Sequence, residues 1–310
     1  YFAERDGRAT HLLPEPPEQV RVTATGAGSA RVAWAPSATE SRNLGGDAAS
    51  GYRVYRSADG RGWDDGVDAA GTSFEVAGLT AAAPTFFRVT ATNEGGESFP
   101  SPVMAVLPAC EEGAKSLIVH GFYRLDAGLA AREDLSAYNL ATVVRVRLDE
   151  MNRFDGVVAH AWSLARAGLA FDSAEATAVA EEAVSLETYG LVDWVLGEES
   201  TVDETFSADE QAVVGAWLGP GRTLIASGAE LAWDLGNKGS AQDQAFLARL
   251  GVAFAADDAG SYGLTWSGGE LAIVRAIVGA GGAGDGPAEG GDELRRDSTG
   301  QQRTRQGEEQ

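Results

Sequence analysis

Cysteine is almost missing from this chain of 310 residues: Cys110 stands alone, so no internal disulfide can form and no redox compartment can be read from cysteine content. Histidine is nearly as scarce. His11, His120 and His160 are the only three, and neither His-x-x-x-His nor Cys-x-x-Cys spacing occurs, which leaves no sequence-level metal site. Positive charge is also short. Lys and Arg number 24 against 46 Asp and Glu, a net charge of −22, and such a surface repels phosphate backbones and anionic lipid. Nucleic acid and membrane surfaces are therefore poor partners. No apolar run reaches the roughly 18 residues that a spanning helix needs. No Gly-rich phosphate loop lies between a strand and a helix, because Gly281-Gly282-Ala283-Gly284 follows no suitable strand. No signal-peptide pattern is visible. The chain begins at Tyr1, so a fragment or processed piece is expected, with any targeting signal upstream.

Hydrophobic residues make up 44% of the chain, enough for a globular core. At roughly 100–200 residues per domain, the length predicts two domains and a tail. Tyr1 to Arg5 reads as the frayed end of a helix, and Leu12-Leu13-Pro14-Glu15-Pro16-Pro17 as a stiff extended linker, since Pro fixes φ and disfavours helix before it. From Gln19 the hydrophobic period becomes two. Val20, Val22 and Ala24 alternate with polar residues, as do Val32 and Trp34. Gly51 to Arg56, Ser73 to Val76, Phe87 to Ala91 and Val103 to Leu107 continue the habit. These are short strands bounded by Gly, Pro, Asn and Ser, about seven in all, as in an all-β sandwich.

Within this stretch Pro16-Pro17, Trp34, Tyr52-Arg53-Val54-Tyr55, Leu79 and the run Arg88 to Ser98 with Pro100-Ser101 resemble the fibronectin type III pattern. The resemblance implies that Trp34 is the central core aromatic and that Asn93-Glu94-Gly95-Gly96 is the turn before the last strand. One position departs. Thr85 stands where the family usually has a Tyr whose buried hydroxyl braces a corner, a loss of about 1 kcal/mol.

Beyond Lys115 the pattern shifts. Leu117-Ile118-Val119, Leu191 to Leu196 and Thr223 to Ala226 are apolar runs typical of buried parallel strands. Helices are expected over Asp155–Ala167, Ala174–Val184, Ser207–Leu218 and from Ser240 to Leu250. Ser207-Ala208-Asp209-Glu210 supplies a capping box, and Gly219-Pro220-Gly221 a stop. Alternating strands and helices predict a parallel α/β sheet. From Gly279 the chain is Gly-, Ala- and charge-rich with no apolar period, so a disordered tail is expected.

Four places could carry chemistry. Glu198 and Glu199 follow the strand ending at Leu196, where open α/β sheets bind ligands, and could serve as acid, base or cation ligands; a solvated loop is the plainer alternative. Ser227, in Ala226-Ser227-Gly228-Ala229-Glu230, sits where a strand meets a small-residue turn, like a nucleophile elbow without the Gly-x-Ser-x-Gly motif; a structural turn is the plainer alternative. His120, after the first parallel strand, is the histidine best placed to help it, whereas His160 falls mid-helix as a partly buried polar residue. Glu230 is a candidate ligand-binding carboxylate, and so is the strand-end pair Asp257-Asp258, which could join Glu198 and Glu199 at the same sheet edge or equally be solvated.

Several phrases together resemble one accessory region. They are Ile118 to Arg124, Phe171-Asp172-Ser173, Tyr189 to Ser200, Thr205-Phe206-Ser207, Ser227 to Glu230, Trp233-Asp234-Leu235 and Asp257-Asp258-Ala259. Their order is similar to that of a domain following a fibronectin type III module in secreted bacterial N-acetylmuramoyl-L-alanine amidases and xanthan lyase-like proteins. The resemblance implies a flavodoxin-like three-layer α/β domain of the class I glutamine amidotransferase type. Its nucleophilic Cys would fall near Ser227, and no Cys is there. It also implies that Tyr1 to Arg5 ends an upstream amidase domain, whose zinc ligands and catalytic Glu would precede Tyr1, leaving no cofactor in this chain. The expected organisation is thus an upstream end and linker over 1–15, a sandwich over 16–108, a linker over 109–114, an α/β domain over 115–278 and a tail over 279–310. The implied setting is extracellular or periplasmic, with cell-wall glycan or another polysaccharide as partner. The relatives continue into β-rich sequence where this chain turns polar after Gly268, a difference that a frameshift or truncation would explain. Two further functions stay open: a hydrolase using Ser227 or Glu198 and Glu199, and an adhesion module for polysaccharide or protein.

Overall fold

The computed structural model describes residues 2–5, 8–36, 46–109, 115–124, 131–145, 154–201 and 203–256. Asp257, Asp258 and the expected tail lie outside the described residues.

An antiparallel hairpin opens the chain, β1 (Phe2–Arg5) with β2 (Arg8–Leu12). This corrects the expected helix end: backbone pairing with Arg8–Leu12 claims the N–H and C=O groups that a helix would have used internally. The sandwich follows. One of its layers contains β3 (Glu18–Gly26), β4 (Ser29–Ala35) and β7 (Ser73–Ala77), paired antiparallel in the order β3-β4-β7. The other runs β10 (Met104–Val106), β8 (Thr85–Asn93), β5 (Gly51–Ser57), β6 (Val67–Ala69), with β9 (Gly96–Glu97) beside β8. Inward residues alternate as the period of two predicts: Val20, Val22, Val32, Trp34, Tyr52, Val54, Phe87 and Val89 fill one core. Trp34 is buried at its centre, edge-on to Tyr52 with ring centroids 5.3 Å apart. Thr85 is buried at the start of β8.

Among the described residues, the second half holds four parallel strands: β11 (Lys115–His120), β14 (Phe171–Glu175), β15 (Tyr189–Gly197) and β16 (Thr223–Gly228). Their order in space is β14-β11-β15-β16, so the chain steps one way from β11 and then back across it. Between β11 and β14 come a hairpin, β12 (Ala131–Asp134) with β13 (Thr142–Arg145), and the helix α1 (Gly156–Arg166). α2 (Ala176–Ala180), α3 (Ala208–Trp217) and α4 (Ala241–Arg249) follow. Capping boxes start α3 at Ser207/Glu210 and α4 at Ser240/Asp243, each pairing a side-chain acceptor with an end amide. The predicted helix over Ala174–Val184 is wrong at its start. Phe171–Glu175 is a buried strand, and only the Ala-rich stretch after it coils. Pairing of Phe171–Glu175 with β11 outweighs the helix preference of isolated alanines.

The two halves share a sheet. β14 pairs antiparallel with β3 through Ser173–Val22 and Ala174–Arg21, giving one seven-stranded sheet, β16-β15-β11-β14-β3-β4-β7. The Ser173 hydroxyl accepts from the Ala105 N–H at 2.7 Å and donates to the Ala105 carbonyl at 2.6 Å. Leu107 and Phe171 exchange backbone bonds of 2.9 and 3.1 Å. Asp172 accepts from the Ala24 N–H at 2.8 Å and from the Tyr189 hydroxyl at 3.0 Å. Beneath these bonds lies a core made by both halves: Phe86, Val103, Ala105 and Leu107 meet Ile118, Phe171, Val195 and the α1 residues Val157, Ala161 and Leu164.

Candidate functional site

In a parallel sheet whose strand order reverses, the crevice for a ligand opens beyond the carboxyl ends of the two strands at the reversal. Here those strands are β11 and β15, and the loops are 121–124 and 198–200. The chain fills this crevice with its own groups. Gly197 has a φ of 54°, and a Cβ there would fall 2.8 Å from the Phe122 ring. Only glycine combines that backbone conformation with so close a ring. Glu199 is 2% exposed, and its Oε2 accepts from the N–H groups of Tyr123 at 2.8 Å and Arg124 at 3.0 Å. The Arg124 guanidinium donates to the Glu198 carbonyl at 3.1 Å. Burial pushes the Glu199 carboxyl up to about 7, while the two amides pull it down by less. Glu199 therefore latches the loop after β11 to the loop after β15.

His120 ends β11 and is fully buried, edge-on to Tyr123 at 5.3 Å and Phe154 at 6.3 Å. Neither ring nitrogen has a partner of normal hydrogen-bond geometry, and burial holds its pKa at about 4. The ring is neutral at neutral pH and packs as an aromatic. Tyr123 closes the floor, donating to the His120 carbonyl at 3.0 Å and accepting from the Ala176 N–H at 3.1 Å.

Ser227 is half-buried inside β16, in register with Val195, and the turn comes after it. An elbow would lift the hydroxyl out of the sheet; pairing that runs on to Gly197–Gly228 keeps this residue in the strand instead. On the same strand pair, Asp193 is buried and its Oδ2 lies 2.8 Å from Nδ1 of His160 on α1. The His160 side chain is 26% exposed. Asp193 stands opposite Ile225, two residues before the Val195–Ser227 pair, so Asp193 and Ser227 lie on one face of the sheet. The histidine with an orienting carboxylate is thus His160, not His120. Glu230 follows β16, and its carbonyl accepts from the Asp234 N–H at 2.8 Å. Among the described residues, no group of three or more His, Cys, Asp or Glu is placed to hold a metal ion.

The structure brings Glu198, Glu199 and His120 to one end of the sheet. Asp193 and Glu175, which the sequence reading passed over, are both buried on the strands themselves. The signal for Asp193 was an acid inside an apolar run, Leu191-Val192-Asp193-Trp194-Val195; Glu175, after Phe171-Asp172-Ser173-Ala174, carried none. Such an acid needs a partner or a proton.

A family model for the fibronectin type III domain matches residues 15–106, and these residues form such a domain. Among solved structures, titin domains A168–A170 are 29% identical over 29% of this chain and 30% of that one, with a TM-score of 0.25. The third fibronectin III domain of human KIAA0343 protein is 22% identical over 36% of this chain and 95% of that one, with a TM-score of 0.27. The sixth fibronectin type III domain of human fibronectin type III domain containing protein 3 is 24% identical over 36% and 96%, with a TM-score of 0.26. The chain matches under a third of the titin fragment's length. No curated protein matches the chain. No helix among the described residues is long and apolar enough to cross a membrane.

Glu199→Ala removes an acceptor from two partly buried amides, each of which loses at most the ~1–3 kcal/mol that a fully buried unpaired amide costs. Hydrogen exchange at Tyr123 and Arg124 should accelerate strongly in Glu199→Ala and change little in Glu199→Gln, which keeps an oxygen at that place.

Proposed function

We propose that this chain is a non-catalytic spacing and binding region of a larger secreted protein, a bacterial cell-wall hydrolase of the N-acetylmuramoyl-L-alanine amidase kind. The observation that carries this reading is the filled crevice at the β11–β15 reversal. Phe122 against Gly197 and the Glu199 latch occupy the place where a substrate would enter. The four parallel strands, taken in chain order, lie second-first-third-fourth, the start of the flavodoxin-like order, which supports the α/β resemblance. Fibronectin type III domains serve as spacers or binding modules in multidomain proteins, and this one is joined to its neighbour by a sheet rather than by a tether. It would therefore present the α/β domain in one fixed orientation. The amidase chemistry, with its zinc, would belong to sequence before Tyr1. The partner in this reading is peptidoglycan glycan, and the setting is extracellular or periplasmic.

Co-sedimentation of the purified chain with insoluble peptidoglycan tests the binding half of the proposal. The chain should pellet with peptidoglycan and stay in the supernatant with cellulose. Recovery of all of it in the supernatant with both would contradict the binding role.

A second reading has one observation in its favour, the Asp193–His160 pair on the sheet face that also carries Ser227. A buried carboxylate on Nδ1 leaves Nε2 to act as a base, which is the arrangement that activates a serine. In this reading the α/β domain is a hydrolase. A fluorophosphonate serine probe should then label the chain, with labelling abolished in Ser227→Ala and reduced by about 100-fold or more in His160→Ala. An unlabelled wild-type chain removes this reading.

A further inference from the structure

The seam between the sandwich and the parallel sheet ends at a buried acid. After the Ala174–Arg21 pair the next residue of β14 is Glu175, which is 4% exposed. Opposite it, β3 is irregular. Its pairing with β4 shifts register between Glu18 and Arg21, and Gln19 has a φ of 53°. A bulge of this kind re-aims backbone groups. The amides of Gln19 and Val20 face the Glu175 carboxyl. Even so, Oε1 has no partner of hydrogen-bond geometry, and Oε2 has the Thr177 hydroxyl at 3.5 Å.

The surroundings disfavour a negative charge there. Glu18, the first residue of β3, acts on Glu175 directly; Glu15 before it and Glu181 at the end of α2 act in turn on Glu18, and Glu181 accepts from the Gln19 side-chain amide at 2.6 Å. β11 contributes His120 in direct register with Glu175, buried and neutral. The loop after β11 contributes the Tyr123 phenol, whose ionisation burial and Glu175 both oppose; Glu210 of α3 acts on that phenol in the same sense. The cation on β3 is Arg21, and its guanidinium donates to the Gln19 carbonyl at 3.0 Å. Lys115 is engaged further along the seam, with Ala24 and Asp172.

We propose that this seam is a proton-operated clasp: with Glu175 neutral β3 stays paired to β14, and with Glu175 ionised, repelled by Glu18, the pairing loosens. Burial raises the Glu175 carboxyl to about 8. A carboxyl raised on folding stabilises the folded form most fully below its unfolded value near 4.5, and that contribution is lost as pH rises through 8. The clasp is therefore closed at neutral pH and opens on the alkaline side. The sandwich would then be rigidly mounted in neutral or acidic surroundings and mobile in alkaline ones.

Hydrogen exchange corrected for intrinsic rates, at about pH 6.5 and about pH 9.5, tests this on the whole chain. The reporters are Ala24 and Ala105, whose amides bond across the seam to Asp172 and Ser173. Val54, buried on β5 inside the sandwich and in register with Val89 of β8, is the reference. Protection of Ala24 and Ala105 relative to Val54 should fall about tenfold or more between the two pH values in the wild type and hold constant in Glu175→Gln. Constant protection in the wild type, or an equal fall in Glu175→Gln, overturns the proposal. Should Glu175→Gln fail to fold, Glu18→Gln decides: the alkaline loss should shrink, and an undiminished loss overturns the clasp.

Discussion

The structure depends on the pairing of one sandwich strand with one strand of the parallel sheet. β3 is an outer strand within the sandwich, and β14 is an outer strand within the parallel set. Either edge alone would leave a row of N–H and C=O groups open to water or to another chain. Joined, they bury each other's edge and bring Phe86 and Phe171 into one core, at 0% and 1% exposure. Truncating a buried Phe to Ala costs about 3–5 kcal/mol, against a typical total stability of about 5–15 kcal/mol. Side chains of that value at the seam make each half depend on the other, which a surface ion pair worth about 0–1 kcal/mol could not do.

That joint explains where the polar residues went. Ser173 and Asp172 sit on β14, and both are spent on sandwich backbone, at Ala105 and Ala24. Glu175 closes the same strand. Glu199 and Tyr123 hold the loops after β15 and β11 to one another. A carboxylate that accepts two partly buried amides stabilises a loop, and using it as a general acid or base would weaken the loop it holds. Among the described residues, the buried acids Asp172, Glu199 and Asp234 each accept a backbone amide from another segment.

Much of this could be read in the residue order, and the omissions have physical causes. The period of two around Val20, Val22, Val32 and Trp34 announced the sandwich, because one face of each strand is buried. Ser207 and Glu210 announced α3, because capping is local chemistry. Glu199 was visible as a strand-end acid, but its amide partners lie 75 and 76 residues away in sequence. The β14 strand was hidden in part, since Phe171-Asp172-Ser173-Ala174-Glu175 is strand only because β11 and β3 flank it. Short segments take their conformation from tertiary pairing when propensity is weak. The sheet spanning both halves left no mark at all. It needs residues 21 and 174 to meet, and no local pattern encodes a meeting at that separation.

Equilibrium unfolding in urea, followed in parallel by tryptophan fluorescence and far-ultraviolet circular dichroism, tests the shared seam most directly. Trp34 reports the sandwich and Trp194 the parallel sheet, and both are buried. The two signals should trace one coincident transition, and Phe171→Ala should move that single transition to lower urea by an amount worth about 3–5 kcal/mol. Two separated transitions in the wild type, with Phe171→Ala shifting only one of them, would contradict a sheet and core held in common.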